Sequence, residues 1–276
     1  MVKEFDVDLG DGATLHAYDT GGTGSVVFWH HGTPNIGAPP APLLAAAERL
    51  GLRWVSHDRP GYGGSTPRPG RTIASAASDV AKIADALEIE NFAVFGHSGG
   101  GPHALACAAL LPERVSAVVG VASMAPYDVE GLDWFAGMGA AGVESLTAAL
   151  AGRAEKADYE ASAEYDAEMF TASDHAALKD DWAWILEVVG PAVEGGPGGL
   201  IDDDLAYVAP WGFQPSDVEA PVLLLHGGAD RIAPLAHGEW LARQCPTAEL
   251  RRFPEEGHVS VLRHGEGALE WLAGHR

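Results

Sequence analysis

Cysteine is nearly absent from this chain of 276 residues, with Cys107 and Cys245 the whole supply. Two distant thiols fit neither a C-x-x-C pair nor a metal-ligand spacing, so both are read as small buried hydrophobes and no metal site is expected. Long apolar runs are also missing, because none reaches the roughly 18 to 20 residues that a membrane-spanning helix needs. The first residues, Met1 to Asp6, lack the basic and then apolar layout of a secretory signal, and a cytoplasmic protein is the expectation. Positive charge is scarce as well: 17 Lys and Arg face 39 Asp and Glu, a formal charge of −22. Such a surface repels nucleic-acid phosphates and anionic lipid, which removes both from the expected partners and leaves a small molecule.

That deficit is local. Between Ala125 and Pro210 there are 18 Asp and Glu against only Arg153, Lys156 and Lys179. The acidity reads as a solvated exterior, or as a field that favours neutral or cationic substrates over anionic ones.

What the chain has is apolar material, 47% of its residues, enough for one large domain with room for an insertion. Two short alternating segments, Glu4 to Leu9 and Ala13 to Asp19, flank Gly10-Asp11-Gly12, a hairpin signal. Six further strands are expected at Val26–His30, Arg53–Ser56, Phe92–Phe95, Val115–Val121, Val222–His226 and Ala248–Phe253. Helical patterns fall between them at Pro42–Leu50, Ala74–Leu87, Gly100–Leu111, Leu235–Gln244 and Ser260–Ala273. Continuous apolar strands separated by helices make this an α/β fold with a mostly parallel sheet covered on both faces. From Ala125 to Pro210 the pattern is helical without a convincing strand, an insertion after the sixth strand, and Gly195 to Gly199 within it reads as a flexible loop.

Chemistry concentrates at Gly96-His97-Ser98-Gly99-Gly100, a G-x-S-x-G pattern between an apolar strand and an alanine-rich helix. Such a turn lifts a serine hydroxyl clear of the sheet and needs glycines where side chains would collide. The hydroxyl requires a base, and His258, on a loop after the last strand, is placed to reach the carboxyl edge of the sheet. Asp230, after Val222–His226, supplies the orienting carboxylate, with Asp128 as a rival position; the order Ser98, Asp230, His258 then matches the serine, acid, histidine order of α/β-hydrolases. Two backbone N–H groups, from Gly99 and from Thr33 in His31-Gly32-Thr33-Pro34, could hold an oxyanion. His31 is read as a structural hydrogen-bonder that borders the pocket. His97 either packs beneath the site or lines it, and His103 packs against a neighbour. Asp58 and Arg59 hold the turn Asp58 to Gly63.

Together His31 to Pro34, Asp58 to Gly63, Gly96 to Gly100, Gly228-Ala229-Asp230 and Gly257-His258 resemble the α/β-hydrolase fold superfamily. The likeness is to its capped branch of serine esterases, haloperoxidase-like enzymes and proline iminopeptidases. It implies an eight-stranded core from residues 1–124 and 211–276, a helical cap from 125–210 over the site, and a serine hydrolase that needs no cofactor. The expected substrate is a small or medium neutral carboxylic ester. A serine at the elbow argues against dehalogenation and epoxide opening, whose capped enzymes use an aspartate there. The alternatives are an iminopeptidase-like enzyme and a non-catalytic ligand receptor on the same fold. Trp134, Trp182 and Trp211 are expected to wall the pocket, or else to form the internal core of the cap.

Overall fold

The computed structural model describes residues 2–10 and 12–275, so Met1 and the central Asp11 of the expected hairpin turn lie outside the described residues. Eight strands form one sheet: β1 Lys3–Gly10, β2 Ala13–Asp19, β3 Ser25–His30, β4 Leu52–His57, β5 Phe92–His97, β6 Val115–Val121, β7 Val222–Gly227 and β8 Ala248–Phe253. Their order across the sheet is β1-β2-β4-β3-β5-β6-β7-β8, antiparallel for β1/β2 and β2/β4 and parallel from β4 through β8. Strands β5 and β7 are buried at every residue, as their unbroken apolar runs require when both faces are covered. The edge strand β8 instead carries Glu249, Arg251 and Arg252, charges that discourage further strand pairing.

One face of the sheet is packed by Phe28, Val94, Val118 and Leu224 against α2 (Ser75–Ala86), α3 (Gly100–Leu110) and α9 (Leu235–Gln244). The other joins Trp29, Trp54, Phe95 and Leu225 to α1 (Leu44–Arg49) and α10 (Gly265–Ala273). Two expected helices are composite: a 3-10 turn, Ala41–Leu43, precedes α1, and another, Ser260–His264, precedes α10.

Between β6 and β7 the chain forms the helical cap: α4 (Ala140–Ala151), α5 (Arg153–Glu160), α6 (Ala172–Ala177), α7 (Trp184–Val193) and α8 (Gly198–Val208). Cap residues Leu146 and Tyr207 join the first core cluster, and Ala177, Trp182 and Ile185 the second. Gly195 to Gly199 is not one flexible loop, because Gly198 and Gly199 already begin α8. A side chain at Gly199 would stand 2.7 Å from the carbonyl of Gly61, so that glycine serves close approach of the cap to the core. Among the described residues no helix is long and apolar enough to cross a membrane.

The topology brings the chemistry to one edge. β3 and β5 are parallel neighbours with His30 opposite Gly96, so the loops carrying Thr33 and Ser98 leave side by side. The chain switches direction across the sheet here, where α/β folds form their clefts.

Candidate active site

Ser98 turns the chain from β5 into α3 with φ of +54°, a left-handed conformation that side chains rarely adopt. The turn is pinned by the Ser98 N–H donating to Val121 O at 2.8 Å and the Gly101 N–H donating to Ser98 O at 2.9 Å. A Cβ on Gly96 would overlap the backbone of Gly100, one on Gly100 the carbonyl of His30, and one on Gly101 the Ser123 hydroxyl. The glycines therefore let the helix leave the strand steeply enough to raise Ser98.

The Ser98 hydroxyl lies 2.8 Å from Nε2 of His258, whose Nδ1 lies 2.8 Å from Oδ2 of Asp230. The other Asp230 oxygen accepts the N–H groups of Ile232 and Ala233 at 2.8 and 2.9 Å, which fixes the carboxylate plane. With Nδ1–H given to Asp230, Nε2 is left as an acceptor for the serine proton. Burial pulls the His258 pKa down, but the charge and hydrogen bond of Asp230 and the charge of Asp174 outweigh it, and the net shift is upward. His97 Nε2 donates to the His258 carbonyl at 3.1 Å, and its burial beside His258 pushes its pKa down to about 3. It therefore stays neutral and does both things left open for it, bonding to the His258 backbone and lining the cavity.

Thr33 and Gly99 face each other beside the serine. A Cβ on Gly99 would stand 2.7 Å from the Thr33 hydroxyl, and one on Gly32 would stand 3.5 Å from Ser98 Cβ. Above them is a cavity of about 470 Å³ between sheet edge and cap. Apolar groups dominate its wall, among them Met124, Met138, Leu146, Met169, Ile185 and Val189. Four carboxylates, Glu160, Glu164, Asp166 and Asp204, border it, and among the described residues neither lysine nor arginine does.

A family model for the alpha/beta hydrolase fold matches residues 25–264, most of the chain. The chain belongs to the alpha/beta hydrolase family. Similar proteins include the 2-hydroxy-6-oxononadienedioate/2-hydroxy-6-oxononatrienedioate hydrolase of Cupriavidus pinatubonensis, 28% identical over 94% of this chain and 90% of that protein. The pimeloyl-[acyl-carrier protein] methyl ester esterase of Nitrosomonas europaea is 29% identical over 92% of this chain and 96% of its own length. Among solved structures, a thermophilic esterase from Thermogutta terrifontis superposes with a TM-score of 0.70 at 21% identity, covering 99% of this chain and 100% of that one. At that identity the likeness speaks for the fold.

Within this hydrolase, several residues expected at the pocket lie elsewhere. His31 is buried behind the Thr33 loop, donating from Nδ1 to Gly32 O at 2.8 Å and accepting the Arg59 N–H at Nε2. Trp134 is core: its indole donates to Ala125 O at 2.8 Å and it packs against His237. Trp182 packs on Trp184 in the second core cluster, and Trp211 on Phe213 in the first. All three rings are buried in the core clusters, which is why so much apolar area is hidden from the cavity. The rival acid Asp128 is exposed, and Asp58 is held by the N–H groups of Gly37 and Gly64 and the Tyr18 hydroxyl, a structural turn. His103 donates to Gly99 O at 2.7 Å and packs on Tyr207. Both cysteines are buried, which pushes their thiols up.

The hydrolase also uses residues that sequence reasoning passed over, chiefly Asp202, Asp203 and Asp204 on α8. Successive residues of a helix point about 100° apart, so each aspartate finds a different partner. Asp202 pairs with Arg153, Asp203 with Arg59 and Arg71 of the core, and Asp204 with Lys156 of α5. The available signal was three charges inside the apolar stretch from Leu200 to Val208, where a solvated face would not put them.

Proposed function

We propose that this protein is a serine hydrolase that cleaves neutral carboxylic esters with an apolar acyl or alcohol part of small to medium size. The observation that carries the reading is the continuous relay from Ser98 through His258 to Asp230 at the floor of an apolar cavity that no described lysine or arginine lines. In this mechanism His258 Nε2 takes the Ser98 proton as the serine oxygen bonds to the ester carbon. The carbonyl oxygen, now negative, is received by the N–H groups of Thr33 and Gly99. His258 returns the proton to the departing alcohol, leaving an acyl group on Ser98. A water molecule then gives a proton to His258 and its oxygen to the acyl carbon; the bond from that carbon to the Ser98 oxygen breaks, His258 hands its proton to the serine, and the acid leaves. Asp230 holds the imidazole in register and stabilises its charged form throughout.

Three methionines in the wall favour this breadth of substrate, because an unbranched thioether adapts to irregular apolar shapes. The carboxylates around the cavity disfavour an anionic substrate, including dicarboxylates of the kind named for the Cupriavidus relative. Lys156, which pairs with two carboxylates of the wall, is occupied by Asp204 at 2.6 Å and Glu160 at 2.5 Å. A paired comparison tests the reading: p-nitrophenyl hexanoate should be turned over with a kcat/KM at least tenfold above that of the same chain ending in a carboxylate. Equal or reversed preference would contradict it.

A further inference from the structure

We propose that Asp203, acting through Arg59, and Tyr207, acting through the Thr33 hydroxyl, are positioning residues by which the cap orients the Gly32–Thr33 peptide as oxyanion donor. The inference rests on the serine-hydrolase reading and adds to it the source of the donor's alignment.

In a trans peptide the carbonyl and the N–H point in opposite directions, so whatever holds one aims the other. The Gly32 carbonyl accepts from His31 Nδ1 at 2.8 Å and from Arg59 Nη2 at 3.0 Å, and the His31 carbonyl accepts from Arg59 Nη1. Arg59 is buried away from the cavity, whereas Gly32 and Thr33 line it. With the carbonyl drawn back toward Arg59, the Thr33 N–H faces the elbow.

Arg59 in turn is held by a single carboxylate from the cap. Asp203 accepts Arg59 Nε at 3.1 Å and Nη2 at 2.6 Å, and is completed by Arg71 at 2.6 Å and the Tyr62 hydroxyl at 2.8 Å. Its side chain has no solvent exposure, and the two guanidinium groups keep it ionised. Without that charge two buried cations would face each other, and Arg59 would leave its place.

The Thr33 hydroxyl ties the same loop to the cap a second time. It donates to Asp203 at 2.6 Å and accepts Arg59 Nη2 at 2.9 Å. Its one proton is thus committed, so the Tyr207 hydroxyl at 2.7 Å is the donor of that pair. The phenol also occupies the space where a Gly99 side chain would be, bracing the second oxyanion residue.

The test uses Asp203→Asn, Thr33→Val, Tyr207→Phe and the conservative Thr33→Ser, each assayed on a neutral ester and with a trifluoromethyl ketone that forms a tetrahedral adduct. Loss of an oxyanion donor costs about 10² to 10³ in rate, so a misaligned one should lower kcat about tenfold to a hundredfold. KM should stay within about twofold, ketone affinity should fall in parallel with kcat/KM, and Thr33→Ser should restore both. The acid limb of the pH profile should not move, because His258 is untouched. Should Asp203→Asn fail to fold, the two single-hydroxyl removals decide. Folded Thr33→Val and Tyr207→Phe proteins with unchanged kcat and ketone affinity would overturn the inference alone. A wild-type protein with no esterase turnover would overturn the hydrolase reading, and this inference with it.

Discussion

Asp174 of the cap accepts the backbone N–H of Val259 at 2.7 Å, so the residue that follows His258 is tied to α6. The same carboxylate accepts the Ser260 N–H at 2.8 Å and closes its own capping box with Thr171. Its charge is one of those that raise the His258 pKa. Asp174→Asn should therefore move the acid limb of kcat/KM to lower pH, since the imidazolium loses a stabilising charge and gives up its proton more readily. An acid limb that stays put or moves upward in the folded variant would exclude this coupling.

The elbow glycines contrast with Gly267, a helical glycine of α10. Gly100→Ala should abolish activity and expression of folded protein, because its methyl group would enter the His30 carbonyl. Gly267→Ala, on α10 where the new methyl meets open space and no proline follows, should raise stability by about 0.5 to 1 kcal/mol. Circular dichroism melts of the two variants measure both effects.

Acid should unfold this protein early. Burial holds His57 and His237 down at about 4, His97 and His103 at about 3, and His30 and His31 well below the ordinary value. Unfolding returns each to about 6.5, so their stabilisation is present above that pH and is lost as pH falls toward the folded values. Each contributes about 1.4 kcal/mol per pH unit, and six acting together rival the whole stability of a domain within one to two units. His258, shifted upward, opposes them alone among the site histidines. The melting temperature should drop steeply between pH 6.5 and 5; a flat profile would contradict the burial of these rings as neutral groups.

The cavity's charge should be open to reversal. Glu164→Lys, at the exposed rim of the cavity, should raise kcat/KM for an ester ending in a carboxylate relative to its neutral counterpart, by about threefold to tenfold at low salt. The gain should shrink at high ionic strength, as screening of an exposed charge requires.

The sheet was legible because β3, β5 and β7 are buried on both faces and must be written in unbroken apolar residues. Ser98, Asp230 and His258 stood out in the sequence for a related reason: each lies within five residues after a strand, and the strand ends share one edge. The cap was not. Trp134, Trp182 and Trp211 have the same composition as a pocket wall, and only their packing shows that they belong to the core. The tie from Asp203 to Arg59 joins residues 144 positions apart, and no local spacing announces it.

The central claim is that Ser98 is the nucleophile, and intact-protein mass spectrometry after exposure to a fluorophosphonate tests it most directly. The account predicts a single phosphonyl adduct on the wild-type chain, mapped to the peptide containing Ser98 and absent from Ser98→Ala. An unlabelled wild type, or an adduct that persists in the variant, would contradict it.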